Sequence, residues 1–232
     1  MAKIFSVLGR ARIATLFNPV GRRLVRAGVS PDVVTVLGTC GVLVGALAFV
    51  SRGWLFTGLV IITVSVSTDM LDGAMARARG YSTPFGAFLD STMDRIADAA
   101  VFGSLAFYLA TSGQSAAAAA ALICLAAGQV VSYAKARAQS VGIDCNVGIA
   151  ERAERLVLIG VGALLHILGV PYALDVAVWV LAALSLFTAG QRIVHVYRRS
   201  AGQRTPLADG SGPQPSGAPA DAPSDDPAGP SR

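Results

Sequence analysis

Four aspartates, Asp69, Asp72, Asp90 and Asp94, recur at spacings of three and four residues in the stretch from Ser67 to Asp98. In an α-helix, residues three apart are separated by about 60° around the axis and residues four apart by about 40°. Asp69 and Asp72 therefore share a face of one helix, and Asp90 and Asp94 a face of the next. The connection between them is short, so the two helices are antiparallel neighbours whose acids can meet. Carboxylates gathered at low dielectric repel one another and take up protons unless cations neutralise them. Oxygen donors with no His or Cys beside them suit Mg²⁺, or Mn²⁺, rather than zinc. Two acid pairs can hold two such ions about 4 Å apart, an arrangement used for displacement at phosphorus. Gly73, Ala76 and Gly86 lie beside the acids, where a missing side chain admits a ligand or a facing helix to the backbone. Asp98 continues the four-residue series, and two readings stand for it: a support behind the ligands, or a solvated charge.

The elements that position these acids are set by composition. Of 232 residues, 53% are hydrophobic and only 14% charged, well short of the roughly 25% charged of a soluble domain. Lipid is therefore the expected solvent. Charge-free runs of 19, 36 and 19 residues begin at Val33, Ala99 and Leu156, and a membrane span needs about 20 apolar residues. Six spans are expected, at about 32–52, 55–79, 85–110, 115–138, 151–168 and 173–199. No alternating strand pattern appears, so the fold class is an all-α integral membrane protein. Residues 1–29, rich in arginine, are expected to form an amphipathic helix lying on the membrane surface. Residues 30–199 form the six-helix catalytic domain. Residues 200–232 hold seven of the 11 prolines among Gly, Ser and Asp, and that composition predicts a disordered tail. Cys40, Cys124 and Cys145 show neither metal spacing nor a disulfide framework.

Charge placement predicts orientation. Six spans put nearly every Lys and Arg on one side, with Arg52 alone on the other. The positive-inside rule makes that side cytoplasmic, with both termini and the acids, in a multi-pass protein of the cell membrane. Lys135 and Arg137 end the fourth span, Arg152 and Arg155 begin the fifth, and Arg192 lies near the inner end of the sixth. Together they can bind an anionic phosphate on a substrate through charge-assisted bonds. Arg198 and Arg199 read as topology charges, and His166 and His195 as ordinary helix-face histidines. The basic balance matches anionic lipid headgroups rather than nucleic acid.

The series Asp69-x2-Asp72-Gly73-x2-Ala76-Arg77-x8-Gly86-x3-Asp90-x3-Asp94 resembles the defining motif of the CDP-alcohol phosphatidyltransferase family. Six spans behind an amphipathic helix are similar to that family as well. The resemblance implies that Asp69, Asp72 and Asp90 ligate metal, and that Asp94 both ligates metal and serves as general base. It implies that Gly73, Arg77 and Thr83 contact the CDP-lipid, that Pro31, Asp32, Val33 and Val34 line the cytidine and diphosphate site, and that the protein is a homodimer. The segments Ser30 to Thr35, Ser132 to Ala138 and Glu151 to Leu156 resemble the bacterial phosphatidylinositol phosphate synthases within that family. Those enzymes join CDP-diacylglycerol to 1D-myo-inositol 3-phosphate and release CMP.

Two other readings compete. A phosphatidylglycerophosphate synthase of the same family also takes a phosphate-bearing acceptor, so a basic cluster does not separate the two. A divalent cation transporter also carries intramembrane acids, but such sites tend to lie at the bilayer midplane on broken helices. Here the acids lie toward one face.

Overall fold

In a computed structural model the protein is described over residues 18–81 and 83–201, and at 69 and 70 through the backbone alone. Most of the basic N-terminal segment, nearly all of the Pro-rich C-terminal segment and the Asp69 side chain thus lie outside the described residues. Among the described residues the structure is helical and no strand occurs.

Helix α1 occupies residues 18–26. Helix α2, Pro31–Leu43, starts where its sequence says it should. The Ser30 hydroxyl accepts the Val33 N–H at 3.3 Å, Pro31 supplies a pre-set φ at the first position, and Asp32 sits at the positive end of the helix dipole. The same rod continues as a π-helical turn, Val44–Phe49, and a 3-10 turn, Val50–Arg52. Gly53, at φ 80°, then reverses the chain.

Helix α3, Leu55–Arg79, carries the first acid pair and ends on Gly80 at φ 77°. Helix α4, Pro84–Thr111, opens with a cap like that of α2: the Thr83 hydroxyl accepts the Gly86 N–H at 2.9 Å ahead of Pro84. Gly80 and Thr83 bring only the end of α3 near the start of α4: among the described residues α3 packs on α2 and α6, and α4 on α2 and α5, so α2 lies between the two acid-bearing helices and the side-by-side neighbours expected from the short acid-to-acid spacing are not seen. Helices α5, Ser115–Ser140, α6, Arg152–Ile167, and α7, Ala173–Ser200, complete the chain.

Packing depends on small residues. Gly38 and Gly41 on α2, with Gly45 in the π-helical turn that continues it, form a stripe against α3, and a Cβ on Gly41 would lie 3.1 Å from the Ser65 Cβ. Lipid gives helices no hydrophobic reason to associate, so close backbone approach and the dispersion it brings hold such pairs. Buried Ala117, Ala118, Ala120, Ala121 and Ala127 let α5 pack against both α4 and α7. The main core joins Ala117, Ala118, Ala120 and Ala121 to Phe102, Leu109, Leu174, Val178 and Leu181.

The outer surface is apolar. Leu37, Leu47, Phe56, Val64, Phe107 and Val157 are each more than half exposed, as expected of residues that face lipid rather than water. Among the described residues, four helices are long and apolar enough to cross a membrane: Pro31–Arg52, Leu55–Arg79, Ser115–Ser140 and Ala173–Ser200. Of the other two expected spans, α4 carries Asp90, Asp94, Arg95 and Asp98, and α6 is only 16 residues long.

Candidate active site

The end of α3 and the starts of α2 and α4 enclose a cavity of about 190 Å³. Asp72 and Asp90, one from each acid pair, both line it, together with Pro31, Asp32, Gly73, Ala76, Thr83 and Gly86. Two helix N-termini therefore open onto the space, and their dipoles favour an anion there. The glycines keep it open. A Cβ on Gly73 would meet only the Arg77 guanidinium, 3.5 Å away. A Cβ on Gly86 would lie 3.1 Å from Asp32 Oδ1, so the start of α4 and the Asp32 carboxylate come together only because that side chain is missing.

Thr35, Arg79 and Tyr81 also line this cavity, though the sequence reading gave none of them a role. Thr35 donates its hydroxyl to Asp72 Oδ2 at 2.6 Å, and its Oγ1 also lies 3.2 Å from the Pro31 carbonyl oxygen. It is buried, so the bond fixes the orientation of the Asp72 carboxylate. Arg79 lines the cavity and donates to the Val29 carbonyl at 2.9 Å, tying the end of α3 to the approach to α2. Tyr81 completes the wall. Thr35 gave one signal in sequence, a hydroxyl one turn into a helix that begins beside the acids.

Asp94 lies one turn further along α4 than Asp90 and meets α6. Arg152 NH1 lies 2.7 Å from Asp94 Oδ1, and Arg95 NH2 lies 3.6 Å from Oδ2. One more turn along, Asp98 is neither solvated nor in the cavity. It is 3% exposed and accepts from Arg155 NH2 and, at 3.4 Å, from Arg152 Nε. Asp94, Arg152, Asp98 and Arg155 thus alternate in charge along the α4–α6 contact. Arg155 is 1% exposed, and its Nε and NH1 have no hydrogen-bond partner. Its guanidinium lies against Gly128 of α5, where a Cβ would collide with it.

The remaining basic residues take separate partners. Arg192, 3% exposed, donates to the carbonyls of Val147 and Val131 and approaches Glu151 at 3.7 Å. With Thr188, whose hydroxyl accepts from the Ala150 N–H at 3.1 Å, it fastens the loop before α6 to α7 and so sets where Arg152 emerges. Arg137 donates to the Ser140 hydroxyl at 3.2 Å, and Lys135 is half-buried two residues earlier on α5. Val33, by contrast, is half exposed on the outside of α2, and Val34 is not among the cavity residues. Arg77 is exposed above Gly73.

Among the described residues, no three His, Cys, Asp or Glu side chains form a ready metal-binding group. Asp72 and Asp90 nonetheless share one cavity, and their hard oxygen donors fit a divalent cation such as Mg²⁺ or Mn²⁺.

Comparison with known proteins places this geometry. The family described as CDP-alcohol phosphatidyltransferase matches residues 28–189. A phosphatidylinositol phosphate synthase of Streptomyces avermitilis is 49% identical over 200 residues, covering 83% of this chain and 82% of its own length. Among solved structures, a Mycobacterium tuberculosis phosphatidylinositol phosphate synthase with CDP-DAG bound superposes with a TM-score of 0.78 at 43% identity, covering 83% of this chain and all of that one. The same mycobacterial enzyme in complex with manganese and citrate gives 0.77 at 43% identity over 82% of this chain and 93% of its own. The match runs from the approach to α2 to the inner part of α7 and takes in both acid-bearing helices, so the chain belongs to the CDP-alcohol phosphatidyltransferase family.

Proposed function

We propose that the chain transfers the phosphatidyl group of CDP-diacylglycerol to 1D-myo-inositol 3-phosphate and releases CMP, a step of phospholipid biosynthesis. The observation that carries this reading is the meeting of Asp72 and Asp90 in one cavity beneath two helix N-termini, in a fold shared with a synthase solved with its CDP-lipid. In this reading Asp69, Asp72, Asp90 and Asp94 hold two divalent cations, Mg²⁺ with Mn²⁺ as a substitute. Bound there, the ions would neutralise the diphosphate and the oxygen that departs with CMP.

The chain's own residues supply the rest. Thr35 holds Asp72 in one orientation. Gly73 and Gly86 leave space for the diphosphate, Pro31 and Asp32 flank the cytidine side, and Arg77 and Thr83 contact the CDP-lipid. Asp94 takes the proton of the acceptor hydroxyl, whose oxygen bonds to the phosphatidyl phosphorus as the bond to the CMP oxygen breaks. Lys135, Arg137, Arg152, Arg155 and Arg192 attract the acceptor phosphate. A carboxylate is a weak base, so holding both substrates in line contributes much of the acceleration.

In this reading the chain crosses the membrane six times. The 28 residues of α4 reach about 42 Å at a 1.5 Å rise, and its Asp94 and Asp98 turn to arginines of α6 rather than to lipid. Arginine placement supports cytoplasmic termini and a cytoplasmic cavity. Assembly as a homodimer belongs to the same reading.

The test is CMP release from CDP-diacylglycerol in detergent, with inositol 3-phosphate or glycerol 3-phosphate as acceptor. Rapid release with the inositol compound, abolished by a chelator, is the expected result. Asp94→Asn should lower the rate by about 10²-fold or more, the scale of lost general-base assistance. Preference for glycerol 3-phosphate would replace the acceptor assignment. No CMP with either would remove the reading altogether.

A further inference from the structure

One face of α7 takes no part in the cavity chemistry. Phe187, Gly190, Gln191, Val194, His195 and Arg198 recur three and four residues apart, so they share that face. With Val147, from the loop before α6, they line a groove of about 520 Å³. The groove is separate from the acid-lined cavity, since the two have no lining residue in common. Its character changes along the helix. Phe187, Gly190 and Val194 are exposed and make one end apolar. Gly190 is a notch rather than a packing contact, because a Cβ there would meet nothing within 4 Å. His195 and Arg198 make the other end basic, with Arg199 exposed beside them.

Two polar groups of the groove have bonding capacity to spare. Among the described residues the Arg198 guanidinium takes no partner, and Gln191 Oε1 is buried without one. His195 is engaged instead: its Nε2 lies 3.1 Å from the Asp144 carbonyl oxygen and steadies the loop that carries Val147. The Asp144 carboxylate accepts from the Asn146 amide at 2.7 Å and does not neutralise Arg198. The span from Phe187 to Arg198 is about 16 Å at a 1.5 Å rise. That is close to half of a hydrocarbon core about 30 Å thick, the depth of one leaflet. Helix α7 is long and apolar enough to cross a membrane, so its outer face meets lipid.

We propose that this groove binds one anionic phospholipid of the cytoplasmic leaflet, the side that arginine placement supports. The lipid phosphate accepts from Arg198, and an acyl chain lies over the Gly190 notch against Phe187 and Val194. Gln191 gives up no hydrogen bond in turning its carboxamide to the headgroup. The gradient along the groove selects this occupant. A soluble phosphate gains nothing from the apolar end, and a neutral lipid gains nothing from the guanidinium. Val147 forms the opposite wall, and its carbonyl accepts from Arg192 at 2.8 Å. A lipid seated there therefore braces the loop 141–151 on α7.

The experiment uses the full chain in a neutral detergent, with phosphatidylglycerol or phosphatidylcholine added and retained lipid counted by native mass spectrometry. One phosphatidylglycerol per chain should be held at least about tenfold more tightly than phosphatidylcholine, the scale of one charged hydrogen bond. Arg198→Gln should remove that preference. Gly190→Leu, which fills the notch without a clash, should weaken retention of both lipids. Retention unchanged in both folded variants overturns the proposal, since the lipid then sits elsewhere, the acid-lined cavity included. Equal retention of the two lipids by the parent overturns it as well. So does displacement of the lipid by glycerol 3-phosphate at equal concentration, which would make the groove a site for soluble phosphate. A dimer that Gly190→Leu dissociates, seen by light scattering, would make the groove a contact between two copies of the chain and would also overturn it. Where Arg198→Gln does not fold, Gly190→Leu decides alone.

Discussion

A hydroxyl and a buried carboxylate, Thr35 and Asp98, do quiet work beside the four motif acids. Thr35→Val keeps the shape and removes the donor to Asp72. Loss of such a ligand-orienting bond costs about 10–100-fold in metal affinity, so the Mg²⁺ needed for half-maximal CMP release should rise by that order. Asp98→Ala should lower stability by about 3–5 kcal/mol, because it strands the buried Arg155 guanidinium without its counter-charge. Thermal unfolding in detergent measures this. The double variant Asp98→Ala with Arg155→Leu should recover part of the loss, since removing both members also removes the desolvation cost. The motif acids stood out in the sequence because they recur three and four residues apart, and of them Asp72 and Asp90 share the cavity. The roles of Asp98 and Thr35 did not, because their partners lie 57 and 37 residues distant and only the fold brings them together.

At the scale of elements, caps and glycines decide geometry. The expected spans match the observed helices to within about two residues at their ends, the usual scatter of helix boundaries, because Ser30-Pro31, Thr83-Pro84, Gly80 and Gly113 punctuate the chain. The π-helical turn Val44–Phe49 was not legible. A continuous apolar run carries no periodicity that separates a π turn from an α turn. Nor did sequence distinguish the glycines that pack helices from those that open a site. Gly128 was one glycine in an alanine-rich helix, yet it is the place where α5 makes room for Arg155. Gly128→Ala should destabilise by about 1–3 kcal/mol through overpacking. It should also raise the KM for inositol 3-phosphate while leaving that for the CDP-lipid nearly unchanged, which steady-state kinetics with each substrate varied in turn would show.

For the molecule as a whole, the shortage of charge announced a lipid environment, and the apolar rim of the bundle agrees with it. The sequence reading took α4 and α6 as spans without the means to say where their charges go, because mutual pairing is something no composition reveals. Labelling can read the topology. An impermeant maleimide should reach Ser112→Cys, in the α4–α5 turn, on intact cells, and Ser140→Cys, at the other end of α5, only after permeabilisation. The reverse pattern would invert the orientation. The α4–α6 contact carries a further consequence. Groups around the cavity come from one unbroken stretch of chain, 31–90, whereas the guanidinium groups and the glycine that seats one of them come from 128–192. Asp94 and Asp98, just beyond the first stretch on α4, join it to the second through Arg152 and Arg155. Descent can therefore exchange one recognition task without rewriting the other. A chimera spliced at Ser112 to Gln114 between two relatives that use different alcohols should inherit its choice of alcohol from the C-terminal parent.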